Sequence, residues 1–194
     1  MLTKVTALVL AAGLSRRMGQ LKQLLPVNNR PAIRHCIDTI IASGINDIVA
    51  VIRNDSEELK NILNGLPLSI VYNRNAESEM AESVRIGLRA IAASATGVMV
   101  CLSDHPLVKV ETLKTLLHIH EQKPDRILLP RCNGKNGHPV LFPVQIIHQV
   151  FSGLNLREII SRYPDMVKNV QVMDEGILFD MDTREDYENI IKRL

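Results

Sequence analysis

"LVLAAGLSRRMGQLKQLLP", residues 8–26, opens as an apolar run and within a few residues turns to Gly13, Ser15, Arg16, Arg17 and Lys22. A buried strand that ends in small residues and cations has the make-up of a turn that holds an anion against exposed backbone N–H groups. Outward from it, β-branched runs recur at 47–53, 68–73 and 97–103, each apolar enough to be covered on both faces of a parallel sheet. Helical patterns lie between them. Over 31–44, Ile33, Cys36, Ile37, Ile40 and Ile41 recur at three and four residues, with Pro31 at the start and Gly44 at the stop. Segment 55–65 begins with capping residues, 80–94 carries Met80, Val84, Leu88 and Ile91 on one stripe, and 110–120 carries Val110, Leu113 and Leu117 on another. The first hundred residues therefore read β-α-β-α-β-α-β. Parallel neighbours need crossover helices, and ligand crevices in such sheets open beyond the carboxyl ends of the strands. The loops after the first and fourth of these runs are the places to look for chemistry.

Downstream, 126–130 and 138–143 read as short strands around the turn "RCNGKNG", 144–151 and 156–163 as helical, 167–173 and 176–182 as strands, and 184–194 as a last helix. At 194 residues, with 46% hydrophobic residues, the chain suffices for one domain over 1–194 with a sizeable core. A formal charge of +2, with both signs interspersed, excludes a nucleic-acid groove and a membrane-attracting basic face, and leaves a small polyanion as a partner. The run 5–12 breaks at Gly13 and the cations, which fits neither a signal peptide nor a spanning helix, so a cytoplasmic protein is expected. Cys36, Cys101 and Cys132 form no C-x-x-C pair and suit reduced thiols.

Two common phosphate-binding templates fail on the first loop. Gly13 and Gly19 are separated by five residues and followed by Gln20, so it is not G-x-x-x-x-G-K-[ST]; Leu14 and Ser15 follow Gly13, so it is not G-x-G. What remains is A-A-G-x-S-x-R-M-G-x-x-K. Ala11, Ala12 and Gly13 clear space for a base or ribose beside the backbone, Ser15 adds a donor, Arg17 a planar fork and Lys22 a mobile point charge. Such a set can neutralise a triphosphate; it can also be a solvated basic loop.

Asp104 directly follows the fourth apolar run, at the crevice, where it can supply one ligand to a magnesium ion that phosphate oxygens complete, or cap the next helix. Asp180 and Asp182, two apart, share one side of an extended segment, and one of them can complete a metal site; Asp182 with Thr183 can equally cap the last helix. His138, between Gly137 and Pro139, either meets substrate or is structural, and His118 and His120 face apart on their helix.

Together, "LAAGLSRRMGQLKQLLPV", "LSDHPLV", "GKNGHPVLFP" and "LFDMDTRED" resemble, in order and spacing and over nearly the whole chain, the MobA-like nucleotidyltransferase family, and within it the molybdenum cofactor cytidylyltransferase branch. The resemblance implies a three-layer, Rossmann-like α/β fold of the nucleotide-diphospho-sugar transferase type, with a mostly parallel twisted sheet and the "HPVLF" strand antiparallel. It implies Mg²⁺-dependent transfer of CMP from CTP to the terminal phosphate of molybdopterin, releasing pyrophosphate, with a client molybdoenzyme as an eventual recipient. On this likeness Leu10, Ala11, Ala12 and Gly13 line the nucleotide, Arg17 and Lys22 hold phosphates, Asp104 binds Mg²⁺, Asp182 (less firmly Asp180) is the second acidic partner, and Gly137 with His138 faces the pterin. Relatives that take GTP tend to read "LAGG", so "LAAG" resembles the cytidine version. The chain departs from the family's usual G-M-S-S-S before the third helix, with Glu79, Ala81 and Glu82 there and Ser83 as the remaining hydroxyl donor; Ser103 and Arg184 are further departures. Two rival functions stay open: a nucleotidyltransferase acting on a sugar phosphate or another phosphorylated alcohol, and a non-catalytic carrier of the finished cofactor. The intact Arg17, Lys22 and Asp104 weigh against the carrier.

Overall fold

The computed structural model describes residues 4–75 and 79–194. Strand β1 (Val5–Ala11) leads through a loop containing a 3₁₀ turn to a small β2–β3 hairpin (Pro26–Val27, Arg30–Pro31) and helix α1 (Ala32–Ala42). Then come β4 (Asp47–Arg53), α2 (Glu57–Leu63), β5 (Ser69–Asn73), α3 (Met80–Leu88), β6 (Gly97–Leu102) and α4 (Val110–Gln122). The second half holds β7 (Ile127–Cys132), β8 (Lys135–Asn136), β9 (Val140–Pro143), α5 (Val144–Ile147), α6 (Leu156–Arg162), β10 (Val167–Gln171) and α7 (Arg184–Ile191).

The main sheet runs in the order β5-β4-β1-β6-β9-β7-β10, with β8 folded back on β7. β1 lies parallel to both β4 and β6, with Leu8 opposite Val49 on one side and Val100 on the other. β9 is antiparallel to β6 and β7, which agrees with the expected reversed "HPVLF" strand. Because β1 connects to β4 on one side and the chain later returns to β6 on the other, strand order reverses between β1 and β6, and a crevice opens at their carboxyl ends.

Alternation along the central strands feeds two cores. Ala7, Val9 and Ala11 of β1 pack with Ile33 and Ile37 of α1, Leu59 of α2 and Leu113 of α4. Leu8 and Leu10 face the other layer, with Val84 of α3, Ile147 of α5 and Ile159 of α6. At about 25 cal/mol per Å² of apolar surface removed from water, burying both faces is what drives the three-layer arrangement.

Two expected elements differ. Segment 176–182 is not a strand: a 3₁₀ turn spans Glu175–Leu178, with irregular chain beyond it. Asp174 sets that path, since its buried carboxylate accepts from Gly176 N at 3.0 Å, Lys109 N at 2.9 Å and Thr112 Oγ1 at 2.6 Å, so it caps α4 from a distance. α3 stops at Leu88, before the end of its apolar stripe, and Ile91 packs on the second core from the following turn.

Candidate nucleotide and metal site

The loop leaving β1 is tied down by its own side chains. Ser15 has φ 49°, a left-handed turn conformation of the kind that lines anion nests, and its hydroxyl oxygen accepts from Lys22 N at 3.1 Å. Gln23 is 1% exposed; its amide reaches Gly13 O at 3.5 Å and Ser15 Oγ at 3.4 Å, bracing the loop from beneath. Ser103, at the end of β6, donates its hydroxyl to Leu10 O at 2.9 Å and so fixes the two strand ends side by side. Neither Gln23 nor Ser103 was assigned a role by sequence reasoning, though a Gln between Lys22 and an apolar run was a usable signal.

The two strand ends meet through Lys22. Its ammonium is hydrogen-bonded to Asp104 Oδ2 and lies 2.6 Å from Asp182 Oδ1, while Arg17 sits 3.3 Å from Asp182 Oδ2. The Lys22 and Asp104 side chains are only 12% and 13% exposed, whereas that of Arg17 is 74% exposed. Burial alone would lower the Lys22 pKa, but the Asp104 and Asp182 carboxylates outweigh it and hold the ammonium above the usual lysine value. The Lys22 hydrogen bond in turn depresses the Asp182 carboxyl. Asp182 arrives here because Met181 N donates to Asp104 O at 3.1 Å and the Met181 side chain is buried against Leu25, Val27 and Ile190. Thr183, not Asp182, caps α7, in a capping box with Asp186. Asp180 is exposed beside this group; partial burial and the Asp182 charge raise its pKa.

Two hollows flank Lys22. One of about 170 Å³ is lined by Leu10, Ala12, Gly13, Met80, Ser83 and Asp104, the other of about 280 Å³ by Gly13, Ser15, Arg16, Arg17 and Asp182. Ser83 is buried and accepts from Asn73 Nδ2 at 3.0 Å. Of the expected site residues, Ala11 stands apart: its methyl points into the core on the opposite face of the sheet. Gly137 and His138 stand apart as well. A Cβ on Gly137 would lie 2.2 Å from Ile177 O, so the close approach that Gly137 permits is to the protein's own backbone. His138 donates its N–H to Ile177 O at 3.0 Å, and its ring lies 5.5 Å from that of His105 over a cavity of about 20 Å³ shared with Cys36 and Cys101. Cys36, Cys101 and Cys132 are all buried free thiols; burial pushes Cys101 up to about 12. A larger open hollow of about 550 Å³, near Lys4, Asp47 and Lys114, lies at the opposite, amino-terminal edge of the sheet, away from the loop that leaves β1.

Asp104 and Asp182 converge on one cation, the Lys22 ammonium, and that fits a divalent metal site completed by phosphate oxygens and water. Among the described residues there is no group of three or more His, Cys, Asp or Glu side chains for an all-protein site. No helix among them is long and apolar enough to cross a membrane.

The family described as "MobA-like NTP transferase domain" matches residues 7–165. "Nicotine blue oxidoreductase" of Paenarthrobacter nicotinovorans is 28% identical over 193 residues, 93% of this chain and 93% of that one. "Molybdenum cofactor cytidylyltransferase" of Escherichia coli (strain K12) is 23% identical over 197 residues, 96% of this chain and 95% of that one. Among solved structures, Rv0371c from Mycobacterium tuberculosis H37Rv superposes with a TM-score of 0.86 at 23% identity over 99% of both chains. The same protein in complex with manganese superposes with a TM-score of 0.79 at 22% identity, over 99% of this chain and 100% of that one.

Proposed function

The chain belongs to the MobA-like NTP transferase family, and from that premise we propose that it is a nucleotidyltransferase moving CMP from CTP to the terminal phosphate of a molybdopterin-type acceptor, with release of pyrophosphate. The observation that carries this reading is the meeting of Lys22, from the glycine turn, with Asp104 and Asp182 at the crevice between β1 and β6. Triphosphate tails and their cations need that combination, and a carrier of finished cofactor does not. The cytidine preference is supported by the Ala12 methyl beside Gly13, which narrows the hollow next to Ser83.

In the transfer, an oxygen of the acceptor phosphate forms a bond to the α-phosphorus as the bond to the pyrophosphate oxygen breaks. A phosphate monoester is already largely ionised at neutral pH, so no histidine is needed to deprotonate it. The chain's part is positional and electrostatic. Residues 13–17 receive the phosphates against backbone and Ser15, Arg17 offers a planar fork to their oxygens, and Lys22 follows the negative charge as it moves to the leaving group. Asp104 and Asp182 would hold Mg²⁺ or a similar divalent ion, for which the manganese complex of the structural neighbour is supporting precedent. Such an ion supplies charge neutralisation at the phosphates.

The relatives' names cover different chemistries, so the acceptor has to be measured. Purified protein is incubated with each NTP, Mg²⁺ and either molybdopterin or a sugar phosphate, and pyrophosphate and the nucleotide product are analysed. Cytidine dinucleotide formed with molybdopterin is the expected result. Turnover with a sugar phosphate and none with molybdopterin would replace the acceptor, and cofactor binding without pyrophosphate from any NTP would replace the enzyme by a carrier.

A further inference from the structure

The geometry points to a second role for Lys22: its ammonium is the resident counter-cation of the Asp104–Asp182 pair and excludes a divalent ion until a triphosphate draws it away, so that metal and nucleotide enter together. This rests on the reading of the site given above and adds to it an order of binding.

Lys22 Nζ occupies the place where the two carboxylates converge, 2.6 Å from Asp182 Oδ1 and hydrogen-bonded to Asp104 Oδ2. An ammonium and a divalent ion cannot share that position, because like charges at contact repel; water screens little on the side of Asp104 and Lys22, 13% and 12% exposed, and more on the side of Asp182, 43% exposed. The backbone of Lys22 is fixed, through its N–H to Ser15 Oγ at 3.1 Å and the buried Gln23 that follows. Only the four-carbon stem has to swing. It has somewhere to go, because Lys22 lines both the 170 Å³ hollow beside Ser83 and the 280 Å³ hollow beside Arg17. Phosphate oxygens arriving in either hollow offer the ammonium a partner of the same charge as the one it leaves. Lys22 thereby couples the two ligands through differential contacts in two positions.

The test is Mn²⁺ binding to the full chain without nucleotide, read from the free-ion EPR signal, for wild type, Lys22→Met, Arg17→Met and Asp104→Asn. Lys22→Met is expected to bind Mn²⁺ at least about tenfold more tightly than wild type, while Arg17→Met, which removes the same charge from an exposed pair with Asp182 alone, changes binding by less than about threefold. In wild type, CTP without acceptor should tighten Mn²⁺ binding beyond the affinity of CTP itself for the ion. Thermal unfolding is the second readout, with Lys22→Gln as the alternative should Lys22→Met fail to fold: Mn²⁺ should raise the melting temperature of the variant more than that of wild type. Equal nucleotide-free affinities in wild type and Lys22→Met, with binding lost in Asp104→Asn, overturn the exclusion and leave the metal site standing. Equal tightening in Arg17→Met and Lys22→Met reduces the effect to net charge and also overturns it. Failure of wild type and Lys22→Met to bind Mn²⁺, with or without CTP, overturns the metal site and the exclusion together.

Discussion

Asp104 leaves the end of β6 with its carboxylate on the Lys22 ammonium. Replacing it by Asn keeps the shape and removes the charge; by comparison with loss of other preorganised charge stabilisers, turnover should fall about a hundredfold or more with the fold retained. Full activity of Asp104→Asn at saturating CTP and Mg²⁺ would take Asp104 out of the mechanism. His138 couples stability to pH. Burial first, then the neighbouring His105, hold its imidazole down to about 4, against the opposite pull of Asp104. The unfolded chain titrates this group near 6.5, so between these values the unfolded state binds a proton that the folded state refuses. Stability should therefore be full above about pH 6.5 and fall as pH drops towards 4, by on the order of 3 kcal/mol in all from this group. His105, also lowered by burial, acts in the same direction. With no Trp in the chain, urea unfolding is followed by circular dichroism at pH 7.5 and 5.0. His138→Gln should narrow the gap between the two curves, and an unchanged gap contradicts the assignment. Asp104 was legible in the sequence because it directly follows an apolar run, and Lys22 because it closes the A-A-G-x-S-x-R-M-G-x-x-K pattern; His105 was not, because only tertiary packing brings its ring against that of His138.

At the scale of elements, the site depends on the irregular segment 174–182, which sequence patterning reads as partly strand. "GILFDMD" reads as a strand, yet a 3₁₀ turn takes up its first half and Ile177 and Met181 bury themselves in two different clusters. Hydrogen bonds to Asp174 decide the outcome, and a side chain that caps a helix 65 residues earlier leaves no local signal. Asp174→Ala strips three donors of their acceptor and should cost about 3 kcal/mol in urea unfolding. Because the same segment delivers Asp182, CTP affinity should drop with it. A cost below about 0.5 kcal/mol would show that the segment is held by other contacts. Close backbone approach is a further device: Gly137 lies under Ile177 O and Gly176 under Leu107 O, each with 2.2 Å to a would-be Cβ. Gly137→Ala should therefore destabilise by about 2 kcal/mol or more, measured the same way, and a stability equal to wild type contradicts the packing described.

Over the whole molecule, the fold was legible because parallel strands covered on both faces stand out as continuous apolar runs, and the helices between them carry periodic stripes. That pattern fixes a crevice at the β1–β6 switch before any side chain is placed. What it does not reveal is which polar groups converge there from distant segments, such as Asp182 reaching Lys22 across 160 positions. On the proposed function, a triphosphate lies in the turn after β1 with its cation against Asp104. The most direct measurement is a crystal structure of the full chain with CTP and Mg²⁺. Phosphate oxygens should lie across residues 13–17, with a divalent ion shared between them and the Asp104 carboxylate. A triphosphate bound instead in the hollow by Lys4 and Lys114, at the other edge of the sheet, would contradict it.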